Sequence, residues 1–300
     1  MSDISIWVKE NYPLEGEITS KLIRSYTNDV YLVENSSKKF ILKLYPEIWR
    51  SKQEVLWEID LINHLLKKGV LVSAPVKNLN NEIMETLEID GNKFSAVLFK
   101  YAKGIKPERP FTPDLYYKFG KAAAKLHKES NNFTSSHSRP NIDLKYLIDD
   151  SLELVKNLVS KEELTKLTNF GNKLKSKINS FTKLDMGIVH GDLTLDNLHI
   201  TKEGEITFYD FDSAGFGWRA MELQGWIALN PEHKANIGAY LKGYKEIRDI
   251  DENNFKAAPY FQAAEDLWLR KGMKALNSPE ILEQQLQRVR QWIKYFEKNK

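Results

Sequence analysis

Apolar and polar residues alternate through YLVEN (31–35) and FILKLY (40–45), with Ser36-Ser37-Lys38-Lys39 as a turn between them, a pattern that predicts a β-hairpin. The period then changes. In SKQEVLWEIDLINHLLKK (51–68), Val55, Ile59, Ile62 and Leu65/Leu66 recur at helical spacing, and Gly69 stops the helix. EIMETLEI (82–89) and KFSAVLFK (93–100) flank Asp90-Gly91-Asn92 and predict a second hairpin. The first hundred residues thus read as an antiparallel sheet with one helix.

Beyond Tyr101-Ala102-Lys103-Gly104 the pattern is helical. Thr112-Pro113, Asn230-Pro231 and Ser278-Pro279 each place a capping residue before proline, and Ser160-Lys161-Glu162-Glu163 is a capping box. One strand-like island, NLHITKEGEITFYDFD (197–212), reads as a hairpin turning at Lys202-Glu203-Gly204. The polar run HKESNNFTSSHSRPN (127–141) reads as a mobile surface loop. The expected architecture is α+β and bilobal: a β-rich lobe over 1–100, a hinge near 99–104, and a larger helical lobe over 101–300.

Composition narrows the chemistry. The absence of cysteine excludes disulfides, thiolate metal sites and a Cys nucleophile. Forty-four basic against 41 acidic residues leave a net charge of +3, too even to argue for nucleic acid or an anionic membrane. MSDISIWVKENY has no apolar core of a signal peptide, and no apolar run nears the ~20 residues that span a bilayer. The expected compartment is the cytoplasm. Oligomeric state is not readable from the sequence.

The segment VHGDLTLDN (189–197), followed by the hairpin and then Asp210-Phe211-Asp212, carries the chemistry. Phosphoryl transfer needs a carboxylate that accepts the proton of the attacking hydroxyl, and oxygen ligands for a Mg²⁺ that bridges phosphates. Asp192, on a loop before the hairpin, suits the first role. Asn197 and Asp210, at the two ends of the hairpin, suit the second. In the blander reading, His190, Asp192 and Asp210 are buried polar residues that hold loops together, which for His190 alone is the better reading.

HGD-x4-N followed by DFD resembles the aminoglycoside phosphotransferase/choline kinase family, as does DFDSAGFGWRAMELQGW (210–226). The resemblance runs from about residue 22 to about residue 270. It implies a protein-kinase-like fold with the active site in a cleft, and Mg²⁺-dependent transfer from ATP, or GTP, to a hydroxyl of a small molecule. Family members act on aminoglycosides, macrolides, choline, homoserine and related amino alcohols, and GFGW tilts the resemblance toward homoserine-kinase-like members. A Ser/Thr protein kinase and a nucleotide-binding pseudokinase scaffold are the alternative readings.

Lys43 lies mid-strand between Leu42 and Leu44, a costly place for an ammonium that meets no anion. The resemblance gives it the α- and β-phosphates and a helix carboxylate partner, Glu58, with Glu54 one turn earlier as rival. Ile41, on the same sheet face, would line an adenine pocket, and the hinge Phe99-Lys100-Tyr101 would offer backbone groups to the base. Two departures stand out. The turn SYTNDVY (25–31) lacks the glycines of a protein-kinase phosphate loop, which leaves Ser25, Thr27 and Asn28 as weak phosphate donors. Glu222 stands where the family usually has an anchoring Asp.

Other residues read more plainly. His127 reads as structural, and Trp218, Trp226 and Trp268 as core rather than as a stacking platform for a substrate ring. Glu265 and Asp266 are candidates for a cationic acceptor, weighed against a solvated helix face. A His190/Asp192/His199 zinc cluster uses Asp192 less well than phosphoryl transfer does, and no G-x-S-x-G elbow supports a hydrolase.

Overall fold

The structure is a computed structural model that describes residues 4–299. The amino-terminal part runs α1 (Ile4–Asn11), β1 (Thr19–Ser25), β2 (Asp29–Glu34), β3 (Lys39–Pro46), α2 (Lys52–Lys67), β4 (Glu85–Ile89) and β5 (Asn92–Lys100). Then come α3 (Pro113–Glu129), α4 (Asp150–Val155), α5 (Lys161–Ser180), β6 (Met186–Val189), β7 (Leu198–Ile200), β8 (Ile206–Phe208) and β9 (Gly215–Trp218). Three helices finish the chain: α6 (Lys234–Ile247), α7 (Glu252–Leu267) and α8 (Pro279–Lys298).

The chain divides into two compact units. The first takes in the residues through Ile105 together with Thr134–Arg139 and Leu198–Tyr209. Its sheet is antiparallel, in the order β1-β2-β3-β5-β4. Alternation along β3 divides the chemistry of its two faces. Phe40, Leu42 and Leu44 join Val33, Ala96 and Leu98 in a core closed by Ile4, Val8 and Tyr12. Those last three come from α1 and its C-terminal edge, so α1 adds a helix to the one the pattern predicts. At eight residues it is too short to be stable alone, and its stability comes from the sheet it covers.

Ile41, Lys43 and Tyr45 point to the opposite face, where α2 supplies Glu58. Ser51 caps α2 by accepting from Glu54 N–H at 3.4 Å, and Glu54 Oε2 accepts from Ser51 N–H at 3.0 Å, which completes a capping box. Val55, Ile59, Ile62 and Leu65 of α2 are all buried, worth roughly 1.5–3 kcal/mol apiece.

Residues 134–139, expected to be a mobile loop, dock on α2. Ser135 Oγ donates to Asp60 Oδ2 at 2.6 Å, and His137 Nδ1 lies 3.0 Å from Gln53 Oε1. The polar side chains of this run satisfy polar positions of a helix far away in sequence. The β7–β8 hairpin also joins this unit, through bridges from Ile200 to Ile105 and from Phe208 to Val72.

The second unit holds the remaining helices and the β6–β9 pair. The α3 face built from Tyr116, Phe119, Ala123 and Leu126 is buried, and the Phe119 ring lies 5.0 Å from that of Tyr240 on α6. Phe296 of α8 stacks on Tyr260 of α7 at 4.5 Å. No helix among the described residues is long and apolar enough to cross a membrane.

Candidate active site

Pairing of Val189 with Gly215 sets the segment that leaves β6 beside the segment that enters β9. The first carries His190, Asp192 and Asn197, and the second starts at Asp210. Gly191 adopts φ +78°, and its N–H donates to Glu222 Oε1 at 2.8 Å. Glu222 is buried, and its Oε2 lies 2.5 Å from His127 Nε2, while His127 Nδ1 lies 2.7 Å from the Tyr244 hydroxyl.

Burial pushes the His127 imidazole below its ordinary pKa, against the upward pull of Glu222. Burial would raise the Glu222 carboxyl, but the hydrogen bond with His127 and that from the Gly191 N–H bring it below its usual value. The arrangement is therefore a neutral His127 that donates from Nε2 to a carboxylate and accepts at Nδ1 from Tyr244. Glu222 thus anchors the loop at the residue before Asp192, and His127 orients Glu222. His190 is fully buried with its ring 4.4 Å from that of Phe211.

Asp192 is exposed. Asn197 Nδ2 donates to Asp192 Oδ2 at 2.7 Å and to its backbone carbonyl at 3.0 Å, so the structure brings these two predicted residues together. Asn197 itself is buried on the turn Leu195–Asn197 that opens β7. Its amide nitrogen is engaged by Asp192, which turns its carbonyl oxygen the other way. The chain returns through Leu198↔Phe208, and Asp210 follows two residues on, in the left-handed conformation with φ +67°. A carboxylate and an amide oxygen are hard donors that fit Mg²⁺ or Ca²⁺ and not a thiophilic metal.

In the first unit, Lys43 pairs with Val30 on one side and Val97 on the other, in the central strand. It is only 4% exposed, with its ammonium 3.8 Å from Glu58 Oε1 and 4.6 Å from the Tyr45 ring centroid. Tyr45 donates to the same Glu58 oxygen at 3.0 Å. Glu54 is engaged elsewhere, by Ser51 and by Arg50 at 3.2 Å. Of the two carboxylates, Glu58 is thus the one that faces the lysine. Ile41 lies opposite Phe99 on the same face.

The hinge is partly occupied. Lys100 N–H donates to Ala74 O and its carbonyl accepts from Ser73 Oγ, both at 2.8 Å. Tyr101 is exposed, edge-on to His199 at 5.2 Å, and His199 meets Tyr209 at the same spacing while its Nδ1 lies 2.9 Å from Ala102 O. Asn28, in the β1–β2 turn, is buried, and Thr27 is half-buried.

The remaining candidates separate. Trp218 packs on Phe261, Trp268 on Tyr146, and Trp226 Nε1 donates to Gln224 Oε1 at 2.9 Å. Asp266 is tied to Trp292 Nε1 at 2.7 Å and Arg288 at 3.2 Å, a structural role. Glu265 differs. Desolvation raises its carboxyl well above the ordinary value, and the charges of Glu222, Asp266 and Asp192 push in the same direction. Sequence reasoning missed Arg139, which lies 3.7 Å from Glu58 Oε2. Its signal is chemical and not periodic: a buried carboxylate calls for cations, and the run 127–141 carries one near its end.

Comparison with known proteins places the chain among relatives. A model of the phosphotransferase enzyme family matches residues 19–252. Amicoumacin kinase of Bacillus subtilis (strain 168) is 27% identical over 242 residues, 75% of this chain and 70% of that one. A homoserine kinase of Rhodopseudomonas palustris (strain BisA53) is 26% identical over 284 residues, 88% of this chain and 82% of its own. The solved structure of a microcompartment-associated aminopropanol kinase matches with TM-score 0.80 at 22% identity, over 96% of this chain and 94% of that one. The α+β fold is that of the kinase-like phosphotransferases, and this chain belongs to the phosphotransferase enzyme family.

Proposed function

We propose that the protein transfers the γ-phosphate of ATP to a hydroxyl of a small amino alcohol. The observation that carries this reading is the exposed Asp192 carboxylate fixed by Asn197 Nδ2 at 2.7 Å on a loop anchored through Gly191 to Glu222. One oxygen of Asp192 is held and the carboxylate stays open to solvent, as a base that receives a hydroxyl proton requires. Asn197 and Asp210 would hold Mg²⁺. That ion, when bound, supplies neutralisation of the charge that develops on the phosphoryl oxygens. Lys43, oriented by Glu58, contacts the phosphates, while Ile41 and Phe99 offer an apolar surface to the base. Most of the rate comes from positioning and charge, little from covalent chemistry.

The amine of the acceptor is read from Glu265. The charges that act on its carboxyl are all negative, and one of them belongs to Asp192. The ammonium of an amino alcohol would relieve this repulsion. The names of the relatives, amicoumacin, homoserine and aminopropanol kinases, support the small-molecule class.

The sign of the pH effect follows from the raised pKa. An ammonium favours the ionised Glu265, so binding releases a proton. The KM for an amino-alcohol acceptor is therefore expected to fall as pH rises, until the amine itself titrates. Glu265→Gln should raise that KM about tenfold and flatten its pH profile, with the KM for ATP unchanged. Identical profiles in the two proteins would remove Glu265 from the acceptor site.

The test of the whole reading offers ATP, Mg²⁺ and pooled amino alcohols, aminoglycosides and a metabolite extract, and follows mass. Transfer yields a product about 80 Da heavier than its acceptor. ATP binding with no such product from any pool would favour a scaffold, and phosphorylated Ser or Thr in added protein would favour a protein kinase.

A further inference from the structure

The segment 134–139 reaches the first unit from a stretch of chain whose neighbours on both sides belong to the second. It lies along α2 at Gln53 and Asp60, and Trp57 falls on the same helical stripe at i, i+4 and i+7. The segment ends in Arg139. Its guanidinium lies 5.2 Å from the Trp57 ring centroid and its Nη1 lies 3.7 Å from Glu58 Oε2, with the Arg139 and Glu58 side chains each 2% exposed.

Glu58 thus has a different set of partners on each oxygen. Oε1 takes the Tyr45 hydroxyl at 3.0 Å and the Lys43 ammonium at 3.8 Å, and Oε2 faces Arg139. A buried carboxylate with a guanidinium facing one oxygen, the guanidinium itself lying over an indole, is held with its other oxygen toward Lys43.

We propose that Arg139 is a positioning residue for nucleotide phosphates: docked with its segment on α2, it fixes Glu58 and through Glu58 fixes Lys43. This rests on the reading of Lys43 as the phosphate contact. Arg139 itself touches neither substrate. Its influence passes through one carboxylate, so the energetic signature is coupling to Glu58 and selectivity for the phosphates over the base.

The experiment measures the Kd of ATP and of adenosine by calorimetry for wild type, Arg139→Met, Arg139→Lys, Glu58→Gln and the double variant Arg139→Met/Glu58→Gln. Arg139→Met should weaken ATP about tenfold and leave adenosine within about twofold, because adenosine has no phosphates for Lys43 to meet. Arg139→Lys should recover part of the loss, since it restores the charge without the planar guanidinium. In the Glu58→Gln background, Arg139→Met should cost nothing further. Equal weakening of ATP and adenosine would assign Arg139 a role in folding alone. Additive losses in the double variant would mean that it does not act through Glu58, and unchanged ATP affinity would overturn the proposal directly. If wild type bound adenosine but gained nothing from phosphates, the reading of Lys43 would fail first, and this one with it.

Discussion

Asp192→Asn is expected to lower kcat for phosphate transfer about a thousandfold while ATP binds within about twofold of wild type. The substitution is nearly isosteric. In the native loop, Asn197 Nδ2 donates to Asp192 Oδ2 and to the Asp192 carbonyl. An amide oxygen at position 192 still accepts the first of these bonds, and the backbone bond is untouched. Gly191 keeps its bond to Glu222, so the loop stays in place. What disappears, on the proposed reading, is the basic oxygen that would receive the hydroxyl proton. The loss therefore falls on the transition state and not on ground-state binding, and KM for ATP should scarcely move. Steady-state rates beside a direct ATP titration decide the matter. Retained turnover with lost ATP affinity would make Asp192 a binding residue and not the base.

The local parts of this molecule are legible in its sequence because their causes are local. The two hairpins of the sheet follow from alternation and turn residues, and α2 from its periodicity. The starts of α3, α5 and α8 follow from Thr112, Ser160 and Ser278, each of which caps its helix. The motif 189–197 sets Asp192 and Asn197 five residues apart, and in the fold the two do meet. Even the rivalry between Glu54 and Glu58 has a sequence answer, since Ser51-x-x-Glu54 is a capping box that engages Glu54.

What escapes is whatever depends on a distant partner. Helix α1 has no strong signature, since its apolar residues matter only against Phe40, Leu42 and Leu44. Residues 134–139 are polar because they satisfy polar groups on α2, and composition cannot tell such a segment from a solvated loop. Glu265 looks like any helix-face carboxylate until the fold brings the charges of Glu222 and Asp192 to bear on it. The amide and carbonyl of Lys100 belong to Ala74 and Ser73, a commitment that a hinge motif does not reveal.

Gly191→Ala should be nearly as damaging as Asp192→Asn, for a reason of backbone geometry. The residue sits at φ +78°, where a side chain costs about 1–2 kcal/mol. The larger problem is space. A Cβ there would fall 2.1 Å from Ser213 O and 2.6 Å from Ser213 C, and backbone atoms cannot swing aside as a side chain would. Either the loop that carries Asp192 must move or the segment that follows Asp210 must. Movement of the loop stretches the 2.8 Å bond from Gly191 N–H to the buried Glu222 carboxylate, which costs about 1–3 kcal/mol when such an acceptor goes unsatisfied. Movement of the other segment shifts Asp210, three residues before Ser213.

A displacement of about 1 Å in a reacting group is enough to cost about a hundredfold in rate, so kcat should fall at least that far whichever side gives way. The melting temperature should drop too, which Asp192→Asn would not cause. Measured together, the rate and the melt separate the two variants: one loses chemistry in an intact loop, the other loses the loop. A Gly191→Ala protein with wild-type turnover and stability would mean that the approach of residue 191 to Ser213 is not needed to hold Asp192 in place.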